Sequence, residues 1–333
     1  MCWYKIDLAY SGRKAEISGL GERSASLAKR IGLRLQTNAE RLIEQSVLGQ
    51  VSAPVSAGTW RVGPDGAPSM LPGVGGITYN CKVGDSALDW AADHVEPGVS
   101  VKTDVEAQNT ALNTLACVGN VARVVSGDAK DAEGVVTGKH GGIEHVLVDF
   151  PDSALDKLAV GDKVQVRARG LGLKLLDMPQ IALMNVTPEL LARMVQGRAG
   201  EKLMVRVTHR VPARIMGSGL GRGHTFSGDY DVQFFDQQVV ENYGLGDLRL
   251  GDLVAIEDAD HTFGRIYKTG AMSVGVVVHS CCMTAGHGPG VTSLMSSREG
   301  KIEPVIDPSA NIANFLKIGR MRPRSGRRRR SRP

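Results

Sequence analysis

The residues best able to do chemistry lie in "HSCCMTAGHGPGVTSL" (279–294), which holds His279, His287, the adjacent Cys281 and Cys282, and Gly286, Gly288 and Gly290. Imidazoles at neutral pH ligate metals or move protons. A glycine-rich loop can line an anion-binding concavity with its backbone N–H groups. The competing reading is a Gly/Pro turn closing a buried strand around a hydrogen-bonded histidine. Vicinal cysteines in extended backbone diverge, so one metal does not take both. A nucleophilic cysteine also needs an oriented base, and free cysteine is a common buried small residue. Thiol catalysis is therefore not expected.

Two further clusters carry acids. In "LVAIEDADHTFGR" (253–265), alternation puts Val254, Ile256, Asp258 and Asp260 on one strand face, with Glu257 and His261 on the other. Carboxylates that continue an apolar face either meet solvent at a rim or enter a cavity, where they hold a divalent cation or act as general base. In "DWAADHVEPGVSVK", Asp93, His94 and Glu96 precede a Pro-Gly turn; they complete such a site or form a charged surface turn. "GSGLGRGH" (217–224) lacks the glycine spacing of a dinucleotide fingerprint and reads as a flexible loop or lid. His140 and His145 in "GKHGGIEHVLVDF" fit a hairpin turn into a strand.

Short strands must position these groups. "LAVGDKVQV" (158–166) and "LRLGDLVAI" (248–256) repeat a Gly-Asp turn followed by alternating apolar residues. Similar runs recur about every ten residues, and "AMSVGVVVHS" sets Val274, Val276 and Val278 opposite Gly275, Val277 and His279. The fold class expected is mainly β, several barrel- or sandwich-like units with few short helices. "TPELLARMVQG" is the clearest helix, with Thr187 as cap, Pro188 in the first turn and Gly197 as stop. The expected units are a basic extension (1–37), a loop-rich unit (38–117), a middle β unit (118–186), a connecting helix (187–200), a C-terminal barrel-like unit (201–310) and a disordered Arg-rich tail (311–333).

The chain has 333 residues, with 41 glycines and few aromatics, enough for a sizeable core. Its five cysteines form no C-x-x-C pair, which excludes a disulfide framework and a zinc ribbon and fits reduced thiols in the cytoplasm. No apolar run reaches membrane-helix length, and no secretory signal opens the chain. Basic charge concentrates at the two ends: residues 318–333 hold eight arginines and no acid. That tail is either a nucleic-acid arm acting by counterion release or a solvated extension.

"LPGVGGITYNCKVGDSALDWAADHVEPGVSVK" (71–102), "GKHGGIEHVLVDF" (138–150) and "DHTFGRIYKTGAMSVGVVVHS…AGHGPGVTSLM" (260–295) resemble the domain-of-unknown-function family numbered 4438, over about residues 38–310. The resemblance implies a predominantly β protein with a C-terminal barrel and brings no assigned residues. The Gly-His-Gly turns are also similar in style to acetamidase/formamidase enzymes, β-rich metal-dependent amide hydrolases, without a motif matched residue by residue.

The expectation is a cytoplasmic enzyme hydrolysing a C–N bond in a small polar or anionic molecule, through metal and carboxylate rather than thiols. Asp258, Asp260, His261, His279 and His287 would be catalytic. His94, His279, His287 and Asp258 would hold a divalent cation (Zn, Mn or Fe). Gly286, Gly288, Gly290, Asp93 and Glu96 would contact the ligand. A homo-oligomer is expected. The alternative is a non-catalytic β-barrel that binds a metabolite or a partner chain.

Overall fold

The computed structural model describes residues 4–5, 35–55, 60–63 and 66–323. Most of the expected basic extension and residues 324–333 of the expected tail lie outside the described residues.

The chain is mainly β, and six strands close into a barrel: β1 (Gln45–Val51), β2 (Gly98–Lys102), β3 (Val121–Val124), β4 (Glu133–His140), β5 (His145–Asp149) and β6 (Lys163–Ala168). Their order is β5-β4-β3-β6-β1-β2, and antiparallel pairing of β2 with β5, Val101 opposite Val146, completes the ring. Val99, Val101, Val136, Val148, Val164 and Val166 fill it, together with Leu112 of helix α1 (Glu106–Leu115). Closure leaves no unpaired edge within the ring. Strands from both sides of residue 117 build this one barrel, so the expected boundary between 38–117 and 118–186 is crossed by the sheet.

The second half begins at helix α2 (Pro188–Met194), where Leu190 N–H donates to the Thr187 hydroxyl as the cap rule predicts. Strand β7 (Val195–Ala199) follows at once and pairs with β8 (Lys202–Val207). Next come β9 (His209–Pro212), β10 (Leu253–Asp260), β11 (Ile266–Val277), β12 (Val291–Ser297) and β13 (Ile302–Ile306). Here the expectation of a C-terminal barrel is corrected. A five-stranded sheet runs from Ala182–Leu183 through β12, β11 and β10 to β9, beside a three-stranded sheet β7-β8-β13, and neither closes.

The Gly-Asp repeat has a local cause. Ala159 N–H donates to Asp162 and Arg249 N–H donates to Asp252, each at 2.9 Å, while Gly161 and Gly251 take φ of 91° and 86°. Only glycine adopts that backbone without strain, and the aspartate closes the turn three residues on. "KVGD" (82–85) makes the same turn, Lys82 N–H to Asp85 at 2.9 Å.

The two halves share a core. Leu147 of β5 packs in one apolar cluster with Leu190, Leu203, Leu253, Val274 and Leu294. Helix α3 (Ile312–Leu316) adds buried Ile312, Ala313 and Phe315 to it, and Ile318 follows. The tail expected from 311 is therefore structured through 323. Its apolar residues, not its arginines, decide that stretch, and Arg320 and Arg322 pair with Asp85 and Asp149.

Candidate metal centre

Four histidine rings meet where the barrel faces the second half. Ring centroids lie 4.3 Å apart for His140 and His279, 5.0 Å for His94 and His279, and 5.3 Å for His94 and His287. His140 ends β4, and His279 follows β11 by two residues. His94 precedes β2 in a left-handed conformation, φ 55°. That segment is pinned to the far loop: His94 N–H donates to Cys281 C=O, Ser280 N–H to Val95 C=O, and Val95 N–H to the Ser280 hydroxyl.

Three of the rings are oriented alike. His94 Nδ1 lies 3.0 Å from Asp93 Oδ1, His140 Nδ1 lies 2.5 Å from Glu96 Oε1, and His279 Nδ1 lies 2.8 Å from the Ser280 carbonyl. An acceptor at each Nδ1 selects the tautomer whose Nε2 carries a lone pair, the arrangement that prepares histidines for a metal. Glu96 is anchored as well, accepting from Gly75 N–H, the Ser100 hydroxyl and His145. Burial alone would raise its carboxyl pKa, but His140 and His145 outweigh that and hold it well below the usual range.

Asp229 and Asp231 complete the group from an extended segment, where residues two apart point the same way. Tyr230 and Val291 exchange backbone hydrogen bonds, and Val232 N–H donates to Pro289 C=O, so the segment rides on the 286–291 loop. Asp229 Oδ2 sits 2.8 Å from His279 Nε2. Yet neither atom has a hydrogen-bond partner among the described residues, and both are buried. The approach is close but not aligned for a hydrogen bond, as when two atoms aim at a shared third point. Asp231 reaches further, with Oδ1 3.6 Å from His279 Nε2 and Oδ2 3.1 Å from His287 Nδ1.

The electrostatics call for positive charge here. Burial pulls the His279 pKa down, but Asp229 and Asp231 outweigh it and raise it well above the ordinary value. A cation placed among these atoms would substitute for that proton. His94 moves the other way: burial, with nearby His279 and His140, keeps it neutral despite Asp93. Gly290 leaves the space open, since a Cβ there would stand 2.2 Å from both Asp229 Oδ2 and His279 Nε2. The ligand-type atoms of His140, Asp229 and His279 lie within 4.8 Å of one another, as do those of His94, Cys282 and His287. A cavity of about 470 Å³ opens onto His94, His140, Asp229, Asp231 and His287, walled by Val55, Trp60, Met70, Leu71 and Arg222. That is a size suited to a small molecule.

The structure brings together His94, His279 and His287, with Asp93 and Glu96 behind them. It sets the second expected cluster elsewhere. Asp258 accepts from Gly270 N–H across the β10–β11 hairpin, Asp260 pairs with Arg298, and His261 Nδ1 bonds Ser293. A bulge between Glu257 and Ala259 breaks the alternation on which their shared face depended. The metal expectation for Asp258 and the catalytic one for Asp258, Asp260 and His261 are corrected accordingly. Gly286 takes a left-handed φ of 80° while its C=O accepts from Ser218 N–H, and Gly288 serves close packing, since a Cβ there would stand 1.7 Å from Val232 O. Burial pushes the Cys282 thiol up to about 12 and raises Cys281 too, which leaves both unreactive.

Asp229 and Asp231 escaped the sequence reading, which named His140 but assigned it to a hairpin turn. The Asp-x-Asp spacing in "GDYDV" was the available signal. The loop 217–224 does reach the cavity, through Ser218, Gly219 and Arg222.

Among the described residues no helix is long and apolar enough to cross a membrane. No curated protein matches the chain. A solved structure titled "Crystal structure of TM1086" is 47% identical, covering 85% of this chain and 99% of that one with a TM-score of 0.81. Two family models, the N-terminal and C-terminal parts of the domain of unknown function DUF4438, match residues 60–192 and 193–316. The chain belongs to the DUF4438 family.

Proposed function

We propose that the protein is a hydrolase that uses a divalent cation, held by His140, His279 and Asp229, to cleave a C–N bond in a small polar molecule. One observation carries this reading: the buried, hydrogen-bond-free approach of Asp229 Oδ2 to His279 Nε2 at 2.8 Å, beside a third imidazole and below an open cavity. Two imidazoles and one carboxylate match a catalytic site that keeps a position free for substrate or water. The cation would act as Lewis acid on the scissile carbonyl and lower the pKa of water.

In the reaction, the oxygen of water bonds to the carbonyl carbon, the C–N bond breaks with its electron pair on nitrogen, and a water proton ends on that nitrogen. His287, the most exposed histidine of the four and backed by Asp231, is placed to carry the proton. Arg61 and Arg222 line the cavity, each already beside an acid, Asp93 and Glu144, and would offer N–H donors to a polar substrate rather than unpaired charge. The four free thiols among the described residues suit a reducing cytoplasm.

The test is metal analysis of the full, untagged chain beside His279→Ala and Gly290→Ala. Bound Zn, Mn or Fe in the parent and its loss in both variants is the expected result, followed by turnover in an amide-hydrolase screen. A parent without metal, or variants that retain it in full, would overturn the reading. Metal without turnover of any amide would leave a binding protein.

A further inference from the structure

We infer that the centre is dinuclear, with the Asp231 carboxylate bridging two cations. This rests on the metal reading above and extends it, with His287 becoming a ligand of the second cation in place of its proton-carrying role. The donors fall into two sets joined through one residue. His140, His279 and Asp229 form the first set; His94 and His287 face each other in the second, His94 Nε2 to His287 Nδ1 at 3.4 Å. Asp231 lies between them and turns one oxygen to each: Oδ1 is 3.6 Å from His279 Nε2, and Oδ2 is 3.1 Å from His287 Nδ1. A single carboxylate shared in this way is the usual link between ions about 3.5–4 Å apart in two-metal hydrolytic sites.

Charge supports the same count. Asp93, Glu96, Asp229 and Asp231 are all buried, whereas the nearby cations are largely spoken for. Arg61 lies against Asp93 at 3.3 Å, and Arg222 against Glu144 at 2.8 Å. Arg265, buried and interacting with Asp229 and Asp231, and Lys139, buried next to His140 with its ammonium on the neutral Asn185 Oδ1 and Phe226 C=O, are the remaining cations, still fewer than the four acids. Buried carboxylates in such excess need cations or protons. Histidines already oriented through Nδ1 are arranged for cations. The second set is also the more open one, since the His287 side chain is 34% exposed while His279 is 1% exposed. The second ion would accordingly exchange faster and bind more weakly. Cys282 stands by with Sγ accepting from Thr284 N–H at 3.1 Å.

The experiment loads the full chain with Mn²⁺ by equilibrium dialysis, counts bound manganese and records its EPR spectrum. About two Mn²⁺ per chain with an exchange-coupled spectrum are expected. His287→Ala and Asp231→Ala should each hold about one, with the six-line spectrum of an isolated ion and an unchanged circular dichroism spectrum. One Mn²⁺ in the parent would overturn the dinuclear inference and leave the mononuclear hydrolase standing. Two uncoupled Mn²⁺ would overturn it as well, by placing the second ion elsewhere. No bound Mn²⁺, Zn²⁺ or Fe²⁺ at all would overturn both readings. If Asp231→Ala fails to fold, Asp231→Asn provides the same comparison, because an amide keeps the volume but bridges cations poorly.

Discussion

Glu96 has almost no exposed surface, yet it accepts hydrogen bonds from two histidines, a hydroxyl and a backbone N–H. Such a carboxylate fixes the tautomer and ring angle of His140 and raises its basicity toward a metal. Glu96→Gln preserves volume but removes the charge, and it should weaken metal affinity about 10- to 100-fold. Chelator competition against the parent would measure this. Unchanged affinity with reduced stability would make Glu96 a structural acid only. The partner of Glu96 stands 44 residues downstream, which explains why the sequence marked the acid while His140 read as part of a hairpin turn. His94, His279 and His287 were legible because each adjoins a turn signal. Asp229 and Asp231 were not, since "DYDVQFFD" (229–236) scans as an ordinary strand and its Asp-x-Asp spacing alone does not show that this polar face meets imidazoles distant in sequence.

The strands decide which of these side chains can meet, and β10 shows how. Its alternation predicted a face running from Val254 to Asp260, and the burial of Val254 and Ile256 on one side agrees as far as Glu257. Asp258 then takes φ 58°, a left-handed conformation that Asp tolerates better than most residues, and its carboxylate ties down Gly270 N–H at 2.7 Å. One extra residue in the strand turns every later side chain to the other face. Asp258→Ala should therefore leave metal content and turnover intact and cost about 0.5–1.5 kcal/mol of stability through the lost hydrogen bond. Denaturant titration beside metal analysis would check both parts, and loss of metal with stability preserved would restore Asp258 to the site. Strand β11 adds no residue of its own between Met272 and Val277, since the register shift at Val274 places the extra residue, Leu294, in β12, so the predicted opposition of Val274, Val276 and Val278 to Val277 and His279 holds. The former three join one core cluster and Val277 the other.

At the scale of the molecule, the site is a joint. His94 and His140 come from the barrel half, Asp229, Asp231, His279 and His287 from the other, and the shared core around Leu147 and Val274 holds the halves in register. The mainly β class was readable from turn spacing, but the location of the barrel was not. Its closure depends on β2 meeting β5, Ser100 opposite Leu147, a long-range pairing that no local pattern encodes. A cation that needs donors from both halves binds only when they are docked, so its binding energy adds to the stability of the whole. At a free Mn²⁺ concentration 100 times Kd, the unfolding free energy should rise by about 2.7 kcal/mol per bound ion. The unfolding should remain one transition, seen identically by circular dichroism and by tryptophan fluorescence, and His279→Ala should lose the Mn²⁺ increment. Two separated transitions, with Mn²⁺ moving only one, would mean that a single half carries the metal, and the assignment of His140 beside His279 would have to be withdrawn.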